Sequence, residues 1–178
     1  MRSWRATTTL FLLLAISAVP TVARAYHEGC NHFYADGAHY VIGNSADNHC
    51  HGTDGTSGND IMGGDTGADE LGGAGNGDSI TGHNGDDLLA GEDGNDNISG
   101  TAHADRLRGG NGGDTLEDRY FASDTDKVCD NAGDDWIYLD DGDGQDIWYT
   151  DGGKEAGDQE FLGPNDTINH GSCPIPTT

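Results

Sequence analysis

The sequence predicts an all-β solenoid, and three observations predict it. Residues 55–117 repeat every nine residues without insertion, each repeat carries one aliphatic residue or methionine at a fixed place, and each opens on a glycine-rich turn. A single nine-residue unit cannot bury its one apolar side chain, whereas stacked units bury a continuous narrow column of them.

Written in rows from Gly55, the stretch reads GTSGNDIMG, GDTGADELG, GAGNGDSIT, GHNGDDLLA, GEDGNDNIS, GTAHADRLR and GGNGGDTLE. The first position is always glycine: Gly55, Gly64, Gly73, Gly82, Gly91, Gly100 and Gly109. The fourth is glycine at Gly58, Gly67, Gly85, Gly94 and Gly112, with Asn76 and His103 in the other two rows. Glycine permits positive φ and lets backbone come close to backbone or to an ion, as tight turns require. The eighth position holds Met62, Leu71, Ile80, Leu89, Ile98, Leu107 and Leu116 in turn. The last three residues of a row are polar, aliphatic and variable, which suits a very short strand with its middle side chain pointing inward.

The sixth position is always aspartate: Asp60, Asp69, Asp78, Asp87, Asp96, Asp105 and Asp114. Over the whole chain 32 acidic residues face 8 basic ones, a formal charge of −24, with 30 glycines and 33% hydrophobic residues. Such a balance excludes nucleic acid and anionic membranes as partners, because both need a basic surface. Composition alone reads as disorder, but a disordered linker has no reason to place one apolar residue every nine. Stacked strands lie about 4.8 Å apart, so the aspartate column brings like charges close together and needs counter-ions. Ca²⁺ fits, since it takes six to eight carboxylate and carbonyl oxygens in flexible geometry; Mg²⁺ demands a tighter octahedron. Zinc and copper favour His or Cys, which these columns lack apart from His83 and His103.

The rows resemble the RTX, or hemolysin-type, calcium-binding nonapeptide repeat, G-G-x-G-x-D-x-U-x with U a large aliphatic residue. The resemblance implies a parallel β-roll in which two rows make one coil. It implies calcium between rows n and n+2, held by the sixth-position aspartates and by backbone of the turns containing the first- and fourth-position glycines named above. Seven rows then imply about five internal Ca²⁺ sites, more if the flanks complete others. This chain departs from the repeat at the second position, which is glycine only at Gly110. RTX proteins generally leave the cell by a C-terminal signal and usually lack cysteine, whereas this chain has an N-terminal signal and four cysteines.

That signal comprises Arg2 and Arg5, the apolar run Leu10–Val19, and small residues before a cleavage point at Ala25. It reads as a secretory signal peptide over residues 1–25 and is too short to span a membrane. The expected location is therefore secreted, extracellular or at the cell surface. Cleavage removes three arginines and no acid, leaving 5 basic residues against 32 acidic ones. In an oxidising compartment four cysteines read as disulfides with three possible pairings. Placement at the two ends of the mature chain favours Cys30–Cys50 and Cys129–Cys173 over a metal site built from His49, Cys50, His51 and the nearby histidines.

Residues 26–54 show no clear period and read as an N-terminal cap; residues 118–178 read as degenerate repeats and a C-terminal cap. In the latter, Asp126, Asp135, Asp146 and Asp166 each precede an apolar residue two positions on, at irregular spacings, and are further candidate calcium ligands. Asp158 matches less well. Trp136, Tyr138, Trp148, Tyr149 and Phe161 make this segment aromatic, pointing to a wider core or cap, with a carbohydrate-binding face as the sharper alternative. With no His-Glu-x-x-His, no Gly-x-Ser-x-Gly and no catalytic-sized domain before the array, catalysis is not expected. A protein or carbohydrate partner cannot be named from a scaffold repeat.

Overall fold

The computed structural model describes residues 27, 28, 30–35, 38–43, 49–51, 59–119, 124–140, 146–150 and 157–175. The expected signal peptide, Gly55 and Gly58 lie outside them. The described strands form two sheets. One contains, in spatial order, β1 (His27–Glu28), β4 (His49–His51), β6 (Glu70–Gly72), β8 (Leu88–Asp93), β10 (Arg106–Asn111), β12 (Lys127–Ala132), β14 (Ile147–Tyr149) and β16 (Thr167–Asn169). The other contains β15 (Gln159–Phe161), β13 (Trp136–Tyr138), β11 (Thr115–Glu117), β9 (Asn97–Ala102), β7 (Ser79–Asn84), β5 (Asp60–Thr66), β3 (Ala38–Ile42) and β2 (Asn31–Ala35). From β3 onward, successive strands alternate between the sheets, so the chain winds as a flattened parallel β-roll.

Register shows how the period becomes a coil. Ile61 pairs with Ser79, Ser79 with Asn97 and Asn97 with Thr115, while Glu70 pairs with Leu88 and Leu88 with Arg106. Each step is two rows of nine, as the resemblance implies. After the strict array the pairs become Arg106 with Lys127, Thr115 with Trp136, Lys127 with Ile147 and Trp136 with Gln159. The slipped phase is thus extra residues taken up in the turns, while the strands stay stacked.

The eighth-position side chains form two facing columns. Val41, Met62, Ile80, Ile98, Leu116 and Ile137 stack on one sheet; Cys50, Leu71, Leu89, Leu107, Val128 and Trp148 stack on the other, all buried. The first member of each column comes from the segment that showed no period. β3 and β4 add a parallel coil before the array, Val41 registering with Met62 and Cys50 with Leu71. Beyond them β2 and β1 pair antiparallel, on β3 and β4 respectively.

Both favoured disulfides are present, Cys30–Cys50 and Cys129–Cys173, with Cα separations of 5.9 and 5.7 Å. The bridge occupies the Cys50 sulfur, so it is not a thiolate ligand for a histidine–cysteine metal site. The aromatic residues divide. Trp148 enters the core, whereas Trp136 and Phe161 are exposed and stack with Tyr138 on the outer face of β13 and β15, the Tyr138 and Phe161 rings 4.8 Å apart and nearly parallel. No helix among the described residues is long and apolar enough to cross a membrane.

The turns are left-handed at two places per row. At the fourth position Gly67, Gly85, Gly94 and Gly112 have φ between 125° and 150°, and a Cβ on Gly94 would collide with the carbonyl of Asn76 in the next coil. Asn76 and His103 adopt the left-handed region at this position too, with φ of 86° and 84°. At the second position the same region is imposed on Asp65, Ala74, His83, Glu92 and Thr101, and only Gly110 meets it with glycine. For residues bearing a Cβ this costs roughly 1–2 kcal/mol each, so these turns persist because the surrounding stack holds them.

Candidate metal centre

The turns alternate between the two edges of the roll, and the sixth-position aspartates consequently form two ladders, one along each edge. On one, the backbone N–H of Asp60 donates to Oδ1 of Asp78, and the same bond repeats from Asp78 to Asp96, Asp96 to Asp114, Asp114 to Asp135 and Asp135 to Asp158, at 2.7–3.2 Å. On the other it runs from Asp69 to Asp87, then to Asp105, Asp126, Asp146 and Asp166, at 2.8–3.3 Å. All seven strict-row aspartates and the four further candidates, Asp126, Asp135, Asp146 and Asp166, therefore occupy equivalent places. Asp158, the poorer sequence match, completes the first ladder.

Those bonds use one carboxylate oxygen. The second, Oδ2, is buried with no hydrogen-bond donor at Asp78, Asp87, Asp96, Asp105, Asp114 and Asp135. Removing such an oxygen from water without a partner costs several kcal/mol when it is charged. The first-position glycines show where these oxygens sit. A Cβ built on Gly73 would run into Asp78 Oδ2 and the carbonyl of Gly91; one on Gly82 would meet Asp87 Oδ2 and the carbonyl of Gly100. Gly64 stands likewise between Asp69 and the Gly82 carbonyl, and Gly109 between Asp114 and the carbonyl of Asp130. Glycine at position one thus leaves a small space into which a carboxylate oxygen from its own row and a peptide oxygen from the next coil both point.

Electrostatics make the same point. Burial pushes the carboxyls of Asp78, Asp114 and Asp135 up to about 7 and those of Asp87 and Asp96 to about 6, against the lowering effect of the N–H bonded to each. Neighbouring carboxylates add to the rise, as Asp96 and Asp60 do for Asp78. Like charges one strand spacing apart repel by about 3–4 kcal/mol at an effective dielectric near 20. An all-oxygen donor set, an unpaired buried oxygen on each of the six carboxylates named above and uncompensated negative charge fit a hard divalent cation, and Ca²⁺ tolerates the variable turn lengths best. The chemistry such an ion supplies is neutralisation and cross-linking of adjacent coils.

Two aspartates escaped the reading of the sequence. Asp118 follows Glu117 at the place where an eighth row would open on glycine, and Asp130 opens the row DNAGDDWIY, which keeps Gly133, Asp135 and Ile137 in step. Both are buried. Searching for glycine at position one hides them; counting back five residues from Asp135 finds Asp130, while the longer turn before Asp126 masks Asp118. Burial raises the carboxyls of Asp105 and Asp118 together, each reinforced by nearby carboxylates.

Residues 81–116 and 125–146 match, in four copies, the family model described as RTX calcium-binding nonapeptide repeat. No curated protein and no solved structure matches the chain.

Proposed function

From the premise that this chain carries RTX calcium-binding nonapeptide repeats, we propose that it is a secreted β-roll that folds on meeting extracellular Ca²⁺ and then serves as a structural or surface-interaction module. One observation carries this reading: along both edges every ladder aspartate after the first accepts an N–H from the neighbouring coil on one oxygen, and at Asp78, Asp87, Asp96, Asp105, Asp114 and Asp135 the other oxygen is buried without a donor. The folded stack therefore gathers carboxylates that the chain's own groups do not neutralise. In low calcium their repulsion opposes stacking and keeps the chain extended. Millimolar calcium outside the cell offsets that repulsion even for sites with dissociation constants of about 10⁻⁴–10⁻³ M, and binding and folding become one equilibrium. Among the described residues each edge offers five ladder intervals as places for ions, and five of the ten lie within the strict rows.

The interaction role is supported by the Trp136, Tyr138 and Phe161 ring stack, flanked by Arg119, whose guanidinium lies 5.0 Å from the Tyr138 ring centre. A flat, half-exposed aromatic face with polar groups at its edge suits stacking against a sugar ring. The experiment for the main reading is small-angle scattering of the purified protein in chelator, then in 5 mM Ca²⁺ or Mg²⁺, concentrations of about the extracellular order. Contraction to a compact rod with Ca²⁺ alone supports it. An unchanged radius of gyration refutes it.

A further inference from the structure

The two aspartates that break the glycine rule lie on opposite edges, each beside a different ladder interval. Asp118 joins Asp105 and Asp126, Asp130 joins Asp135 and Asp158, and within each trio one oxygen per residue lies within 4.8 Å of the others. All six carboxylates are buried. At the first trio a Cβ on Gly100 would strike Oδ2 of both Asp105 and Asp118, so these two oxygens converge on one space. Neither has a hydrogen-bond donor, and in the second trio Asp135 Oδ2 is in the same condition. Three carboxylates gathered out of water, with unpaired oxygens at Asp105, Asp118 and Asp135, repel one another strongly once ionised unless a cation lies among them.

We propose that Asp105–Asp118–Asp126 and Asp130–Asp135–Asp158 are two tight Ca²⁺ sites, distinct from the carbonyl-rich sites of the glycine rows, which fill first and so select where folding begins. The inference rests on the calcium reading of the ladders and refines it. At a glycine row the interval contributes two carboxylates and peptide oxygens. Here the first-position aspartate adds a third full charge to the same interval, and affinity for Ca²⁺ rises with the charge count and rigidity of the ligand set. Both trios fall in the C-terminal half of the roll, about one and a half coils apart, where a folded nucleus can extend through β11, β9 and β7 by successive stacking. Trp148 reports on the second trio, because its Nε1–H donates to Asp130 Oδ2 at 3.0 Å.

The test is calorimetric Ca²⁺ titration of the purified protein and its variants, paired with Tb³⁺ emission excited through tryptophan. The wild type is expected to show two equivalents at least tenfold tighter than the remainder. Asp118→Asn and Asp130→Asn each lose one of them, while Glu117→Gln, which removes a neighbouring half-buried charge paired with Arg119, keeps both. At substoichiometric Tb³⁺, Asp130→Asn loses most of the sensitised emission and Asp118→Asn retains it. Asp118→Gly restores the residue found in the strict rows, so it is expected to fold and still lack one tight equivalent. A single class of sites in the wild type, or Asn and Gly variants indistinguishable from Glu117→Gln, overturns the proposal and leaves the ladder reading standing. Absence of any Ca²⁺ heat or Tb³⁺ emission in the wild type overturns both.

Discussion

Replacing Glu92 by glycine should stabilise the calcium-loaded protein, against the usual effect of putting glycine in a strand. Glu92 sits in β8 at the second position of its row with φ of 75°, directly beside Gly110 of the next coil, the one row that has glycine there. Relief of a left-handed residue bearing a Cβ is worth roughly 1–2 kcal/mol, and the extra freedom of glycine in the unfolded chain takes back about 0.5–1 kcal/mol. The net gain is about 0.5–1 kcal/mol. With a urea dependence of about 2 kcal/mol per molar, the unfolding midpoint in saturating Ca²⁺ should rise by roughly 0.3–0.5 M. Glu92 also adds to the negative charge that raises Asp96, so Glu92→Gln is the necessary companion: it removes the charge and keeps the strain. The strain argument requires Glu92→Gly to exceed Glu92→Gln. Equal midpoints for the two variants, or a fall for the glycine variant, would refute it.

Three other outcomes follow from the same geometry. Gly94→Ala places a methyl against the carbonyl of Asn76 at a φ of 150° and should abolish calcium-induced β structure measured by circular dichroism, whereas Asn95→Ala, one residue on and exposed, removes only the bond from the Gly113 N–H and should weaken that structure without abolishing it. Leu107→Ala empties a fully buried place between Leu89 and Val128 and should lower stability in Ca²⁺ by about 2–5 kcal/mol in urea titrations. For pH, burial raises the carboxyls of Asp78, Asp87, Asp96, Asp114 and Asp135 above the ordinary aspartate value, to about 6–7. Folded-state values above unfolded ones mean that their contribution to metal-free stability is complete below about pH 4 and is lost as pH rises through 6–7. Without calcium, β content should therefore grow as pH falls from 8 towards 5, while the calcium concentration needed for folding should rise as protons compete for the same oxygens.

The strict rows were legible because three constraints recur together: room for an oxygen at position one, a carboxylate at six, an inward apolar group at eight. Their register and both aspartate ladders follow from that period. β3 and β4 were not legible, since Val41 and Cys50 carry the stacking column without the glycine and aspartate that mark a calcium-binding turn. Glu160 shows the converse at the other end: it registers with Ile137 on β15 but is exposed, a polar residue tolerated where no further strand among the described residues covers the column. Asp118 and Asp130 were hidden because they replace the residue used to find the rows. The left-handed second position was hidden by side chains, Glu92 and Thr101 among them, that ordinarily avoid such backbone. Trp148 and Trp136 could be recognised as aromatic but not divided between core and outer face until register placed Trp148 at an inward position and Trp136 at an outward one.

The central claim is that the aspartate ladders oppose the fold until a divalent ion joins them. Far-ultraviolet circular dichroism of the purified protein at pH 7.5, above the values of about 6–7 at Asp78, Asp87, Asp96, Asp114 and Asp135, tests it most directly during titration from excess chelator into Ca²⁺, with Mg²⁺ as the parallel series. The account predicts little β signal in chelator, a steep cooperative gain with Ca²⁺ and a weak response to Mg²⁺. A full β spectrum in chelator that Ca²⁺ leaves unchanged would contradict it.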